Sequence, residues 1–150
     1  MPRFFTLPQA EDLLPDVDAA IREAIQRKAE FERVESERRQ VTRRLAVLGG
    51  AHVDRAQAME QKTRGQQAAR ALEQAVGKIH SFGCLVKDLD IGLIDFPTLF
   101  RGEEVYLCWK LGEPGIRFWH GVSEGFRGRK AIDSAFLQDH RGDHRGESPN

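Results

Sequence analysis

Phe82-Gly83-Cys84-Leu85-Val86-Lys87, continued by Gly92-Leu93-Ile94-Asp95-Phe96-Pro97, is the stretch on which the fold turns. Upstream of it, apolar residues recur every three or four positions, as on one face of a helix; from Cys84 onward they alternate, as along a strand. Residues 84–87 read as a first short strand and 92–96 as a second, ended by Pro97. Arg101-Gly102 turns the chain into Glu104-Val105-Tyr106-Leu107-Cys108-Trp109-Lys110, and a four-residue loop, Gly112-Glu113-Pro114-Gly115, leads to Ile116-Arg117-Phe118-Trp119-His120. Links this short join antiparallel neighbours, so 84–120 is predicted to be a β-meander.

Working back from Phe82, Gln66 to Phe82 forms a helix with Ala68, Leu72, Val76, Ile79 and Phe82 on one side, and 51–65 extends it despite Gly65. At the other end, Thr6-Leu7-Pro8-Gln9 has the form of a capping box. Pro15 predicts a break, giving a short helix near 7–13 and a long one from about 15 to Leu48, where Gly49-Gly50 supplies a stop. The long helix carries a stripe of Leu14, Val17, Ile21, Ile25, Phe31, Val34, Val41, Leu45 and Leu48. The fold class is therefore α+β: a long N-terminal helical hairpin over about 7–82 and a small C-terminal antiparallel β-meander over about 84–120. A glycine-rich segment and a short helix over 121–137 complete a single domain, 1–137. The polar residues 138–150, where Asp139-His140-Arg141-Gly142 is nearly repeated as Asp143-His144-Arg145-Gly146, are expected to be a disordered tail.

The 150 residues hold 23 Lys plus Arg against 23 Asp plus Glu, a balance that argues against nucleic-acid binding through phosphate neutralisation. Arg38, Arg39, Arg43 and Arg44 fit a salt-bridged solvent face, because Glu32, Glu35 and Glu37 are interleaved with them. No apolar run approaches the roughly 20 residues that cross a bilayer, and the opening turns acidic too soon for a signal peptide. Two cysteines without a Cys-x-x-Cys spacing indicate free thiols in a reducing compartment, so the expected location is the cytoplasm.

The chemistry-bearing residues gather in the β half. Cys84, Cys108 and His120, with Asp95 and Glu113, are the residue types that hold zinc. A four-residue turn at 112–115 would pair Trp109 with Phe118 and Cys108 with Trp119, putting Cys108 and His120 on opposite sheet faces; an odd-length loop would bring them together. No ligand pair has a recognised metal spacing, so no metal is expected, and the two cysteines read as buried thiols acting as small hydrophobes. Asp95 and Glu113 form a possible acid–base pair with His120 as a third titrating group; structurally, Asp95 would accept from Arg129 or the Trp119 indole, and Glu113 would hold Arg117. Gly125-Phe126-Arg127-Gly128-Arg129 is either an anion-binding loop or a segment in which Phe126 plugs the core and Arg129 meets a carboxylate. Gly121-Val122-Ser123-Glu124-Gly125 matches G-x-S-x-G but follows an antiparallel strand, not the parallel strand of a nucleophile elbow. Trp119, on the face away from Trp109, is a candidate for a ligand cleft or a subunit contact.

The run Gly83-Cys84-Leu85-Val86-Lys87-Asp88-Leu89-Asp90-Ile91-Gly92-Leu93-Ile94-Asp95-Phe96-Pro97, with Leu107-Cys108-Trp109-Lys110-Leu111-Gly112-Glu113 and Trp119-His120, resembles the bacterial family catalogued as domain of unknown function 2203. Phe5-Thr6-Leu7, Leu13-Leu14-Pro15, Gly125-Phe126 and Arg129 match it too, so the resemblance spans about residues 4–132. It implies one folded unit and brings no activity, cofactor or catalytic residue with it. On the residues themselves, the expected function is a homo-oligomeric interaction module built on the long helices, because their stripe outruns what four short strands can cover. The alternative is a small-molecule or metal site, with hydrolysis among its chemistries, where Asp95, Glu113, Trp119, His120 and Arg129 converge.

Overall fold

Two long helices lie against one face of an antiparallel sheet in the computed structural model, which describes residues 3–47 and 55–142. In chain order the elements are α1 (Leu7–Val47), α2 (Arg55–Ser81), β1 (Leu85–Asp88), β2 (Leu93–Phe100), β3 (Glu103–Lys110), β4 (Phe118–Gly121), β5 (Lys130–Ala131), α3 (Ser134–Asp139) and β6 (His140–Arg141). The change of period at Phe82 is the change from helix to sheet, and the fold is the expected α+β. The strands run β1-β2-β3-β4-β5 across the sheet, with β6 against β2. Alternation sends Ile94 and Phe96 of β2 and Leu107 and Trp109 of β3 into one core with Val17, Ile21, Ala24 and Ile79 from the helices. No helix among the described residues is long and apolar enough to cross a membrane.

The capping box forms as the sequence requires: Gln9 N–H donates to Thr6 Oγ1 at 3.3 Å, and Thr6 N–H donates to Gln9 Oε1 at 3.0 Å. Pro15, however, does not divide the helix; α1 runs through it. Fully buried Ala10 and Val17 anchor the same face on either side, so the packed face holds the helix together across the missing N–H. α2 runs through Gly65 as expected; the glycine is buried against α1, and a Cβ there would stand 3.3 Å from Glu35 Oε1. The predicted stop at Gly49-Gly50 lies outside the described residues.

Pro97 does not end β2, which continues to Phe100. The Pro97 carbonyl accepts from Phe5 N–H at 2.7 Å on the edge away from β3. Its missing N–H therefore faces that edge and takes nothing from the β2–β3 ladder. The tail expectation also changes, since α3 reaches Asp139 and β6 pairs Phe100 with His140 and Leu99 with Arg141. His140 Nε2 accepts from Leu7 N–H at 3.1 Å. These residues belong to the fold because His140 caps α1 and stacks on buried Phe136, with ring centroids 5.5 Å apart.

Candidate functional site

The β3–β4 connection decides which side chains can meet. β3 ends at Lys110 and β4 starts at Phe118, leaving an odd, seven-residue loop over 111–117. Glu113 organises it: Lys110 N–H donates to its Oε1 at 2.6 Å, and the Trp109 indole donates to its carbonyl at 3.0 Å. Gly112 supplies the left-handed turn at φ 99. Ile116 drops into the core instead of joining the ladder. The resulting register is Cys108 with Phe118, Leu107 with Trp119 and Tyr106 with His120, one residue away from the pairing that a four-residue turn would give. Parity reverses with it. Cys108 and His120 share a face, and Asp95, paired with Cys108 across β2–β3, joins them.

Asp95, Cys108 and His120 thus converge on the sheet face opposite the helices, each no more than 1% exposed. Their donor atoms all lie within 4.8 Å of one another. His120 Nδ1 stands 2.8 Å from the Gly121 carbonyl, and Nε2 stands 2.9 Å from Asp95 Oδ1. A carbonyl only accepts, so Nδ1 carries a hydrogen and a second proton is shared between Nε2 and Oδ1. The other Asp95 oxygen, Oδ2, is buried without a hydrogen-bond partner. Burial pushes the Asp95 carboxyl above its ordinary range, against the opposing pull of its bond to His120. Burial, reinforced by the Asp95 charge, pushes the Cys108 thiol up to about 12. At neutral pH such a thiol is almost wholly protonated, which removes it as a nucleophile.

Glu113 and Arg129 form a second pair. Arg129 Nη2 donates to Glu113 Oε1 at 2.6 Å and Oε2 at 2.9 Å, and it reaches the Cys108 carbonyl at 3.4 Å. The guanidinium lies 4.1 Å from the Phe118 ring centroid and 4.9 Å from that of Phe126. The partners expected from the sequence are therefore exchanged: Asp95 takes His120, not Arg129 or the Trp119 indole, and Glu113 takes Arg129, not Arg117. Phe126 does not plug the core; it is 43% exposed and packs on Arg129. Cys84 stands apart, its thiol donating to the Ile79 carbonyl at 3.3 Å, and burial alone suffices to push it up to about 11.

Trp119 leaves the candidate set altogether. By the corrected parity it shares the helix-side face with Leu107, and its ring stacks on Phe136 with centroids 4.9 Å apart. Tyr106 belongs near the site in its place, with its ring 5.5 Å from that of His120. Its position two residues from Cys108 on one strand was the signal available in the sequence. Gly121-Val122-Ser123-Glu124-Gly125 is a turn closed by Glu124 N–H on the Gly121 carbonyl, with no elbow.

On the helical hairpin a second feature stands out. A groove of about 570 Å³ runs between α1 and α2, lined by Phe31, Leu72, Val76 and Gly77 together with exposed Glu73 and His80. Elsewhere on the hairpin helix charges pair off, Arg33 with Glu30 and Glu37, Arg64 with Glu37 and, of the four arginines singled out in the sequence, Arg38 with Glu35. A family model described as "Uncharacterized conserved protein (DUF2203)" matches residues 3–132. No curated protein and no solved structure matches the chain.

Proposed function

The chain belongs to this uncharacterised family, DUF2203, and with no activity to inherit from it we propose that it is a self-associating module whose long helices pair with those of a second copy. The groove at Phe31, Leu72 and Val76 carries the reading. After Ala24, α1 buries only Val34, so the helices extend well past the part the sheet covers. Gly77 sharpens it. An exposed glycine inside a helix costs about 1 kcal/mol relative to alanine, and a Cβ built there would meet nothing within 4 Å. A close-packed neighbour explains that choice.

The neighbour that fits is α2 of another copy. Let two α2 helices cross antiparallel about a two-fold axis at the Val76–Gly77 peptide. Val76 of each copy then enters the notch at Gly77 of the other. Glu73, three residues before Val76, comes opposite His80, three residues after Gly77, so a carboxylate acceptor faces an imidazole donor twice across the axis. Sedimentation at tens of micromolar should give twice the 17.0 kDa chain mass. Gly77→Arg should give a folded monomer, and Glu73→Lys should weaken a dimer that His80→Glu in the same chain restores. A monomeric wild type, or a dimer indifferent to Gly77→Arg, refutes the proposal.

The two free cysteines, both buried, support a cytoplasmic location. Balanced charge, with Arg33, Arg38 and Arg64 paired to helix glutamates, speaks for protein partners over nucleic acid. A second reading, a ligand site on the β-meander, is favoured by Asp95–His120 and Glu113–Arg129 meeting on either side of Cys108, with Trp119 outside it. A small-molecule thermal-shift screen tests it. Hits that survive Asp95→Asn or Arg129→Leu would count against it.

A further inference from the structure

We propose that Asp95, Cys108 Sγ and His120 Nε2 are three ligands of a site for a zinc-class divalent cation, its fourth position left to water or an incoming ligand. The inference is independent of self-association and rests on four observations. The donors are of the mixed oxygen, sulfur and nitrogen kind that borderline transition metals take and that calcium or magnesium does not. They come from three adjacent strands, so the sheet ladder fixes their spacing, and their donor atoms already lie within 4.8 Å of one another. His120 donates Nδ1–H to the Gly121 carbonyl at 2.8 Å, the outer contact that normally orients a ligating imidazole and leaves Nε2 toward the metal. Finally, Asp95 is fully buried, and its Oδ2 has no hydrogen-bond partner beyond the weak donor beside it, the Cys108 thiol. An unsatisfied carboxylate oxygen beside a thiol and an imidazole is a costly arrangement unless something fills it.

The balance of charge and protons is simple. Without metal, one proton is shared between Asp95 Oδ1 and His120 Nε2, and another sits on the Cys108 thiol. A divalent ion replaces both, forming bonds to one carboxylate, one thiolate and one neutral imidazole, and releasing two protons to solvent. The net ligand charge of minus two matches the ion. The charged and titratable neighbours are Lys87 from β1, Tyr106 on β3, Glu113 in the 111–117 loop and Arg129 ahead of β5. Lys87 lies toward Asp95 and Arg129 toward Cys108. Arg129 is already paired with Glu113, which limits its repulsion of a metal.

The test uses the full chain, tag-free and stripped with chelator. Cobalt(II) should bind one per chain with a thiolate-to-metal charge-transfer band and the intense visible bands of tetrahedral coordination. Zinc should displace it and release two protons per ion in calorimetry across buffers of different ionisation enthalpy. Cys108→Ser should abolish the charge-transfer band and weaken binding more than about 100-fold, beyond what loss of an outer contact costs, whereas Cys84→Ser should keep both. The wild-type titration does not depend on any variant folding. Absence of the band in wild type overturns the proposal, as does a band that Cys84→Ser removes, or octahedral spectra without thiolate character.

Discussion

Replacing Glu113 by alanine tests the reasoning about the β3–β4 loop directly. The carboxylate holds Arg129 through both oxygens and accepts Lys110 N–H at 2.6 Å; the side chains are 11% exposed for Arg129 and 23% for Glu113. Breaking a fully buried ion pair costs about 3–5 kcal/mol, and hydrogen bonds to charged groups contribute about 1.5–3 kcal/mol. Water reaches part of Glu113, so the cost falls below that of a fully buried pair and Glu113→Ala should cost about 2–3 kcal/mol. For a chain of this size that lowers the melting temperature by about 4–12 °C. Glu113→Gln keeps an acceptor for Lys110 N–H and should cost about half as much. Arg129→Leu retains an apolar stem between Phe118 and Phe126. A double-mutant cycle with Glu113→Ala, read from urea midpoints at unchanged slope, should therefore return a coupling of about 1.5–2.5 kcal/mol. A loss below about 0.5 kcal/mol with additive single effects would refute the idea that this pair ties the loop to the start of β5.

Two further predictions concern the protein without metal. Burial pushes the Cys84 thiol from 9.0 to about 11, so the native state holds that proton more tightly than the unfolded chain. Its stabilisation is complete below pH 9 and is lost as pH rises toward 11. Cys84→Ala should therefore flatten the alkaline fall in unfolding free energy by about 2–3 kcal/mol, and urea midpoints that fall in parallel with wild type would contradict the assigned cause. His140→Ala removes the acceptor for Leu7 N–H and should cost about 1–2 kcal/mol. Hydrogen exchange should show the Leu7 amide losing protection while Ile21 keeps its own; an unchanged Leu7 amide would refute the capping role.

What could be read from the chain was the alternation itself. Helical periodicity before Phe82 and period-two patterning after Cys84 depend on local sterics, and they place the strands to within a few residues. The pairing of β3 with β4 was misread because Gly112-Glu113-Pro114-Gly115 looks like a self-sufficient turn, whereas the loop is closed by contacts distant from it. The Trp109 indole lies on the Glu113 carbonyl, and Ile132 N–H bonds the Arg117 carbonyl at 2.9 Å. A shift of one residue turns every side chain over, which is why Trp119 left the site and Cys108 entered it. Cys84 looked equivalent to Cys108 by residue type, but only three-dimensional neighbours separate a thiol facing Ile79 from one beside Asp95. Pro15 and Pro97 were read as breaks because their missing N–H is visible in one dimension, while the direction it faces is not. His140 went unrecognised for a similar reason: a polar stretch carries no sign that an α1 amide, 133 residues away, will use it.

That last bond makes the sheet a clasp. Along one edge of β2, Phe5 bonds Pro97 and His140 and Arg141 pair with Phe100 and Leu99, so segments from opposite ends of the described chain fasten side by side. On a ribosome, α1 can coil as soon as it emerges, but its first turn must wait for the residues that secure it. Contacts of such long range are made late in folding. A nascent chain stalled before His140 should thus carry a frayed amino end and an open sheet margin, the state most in need of a chaperone.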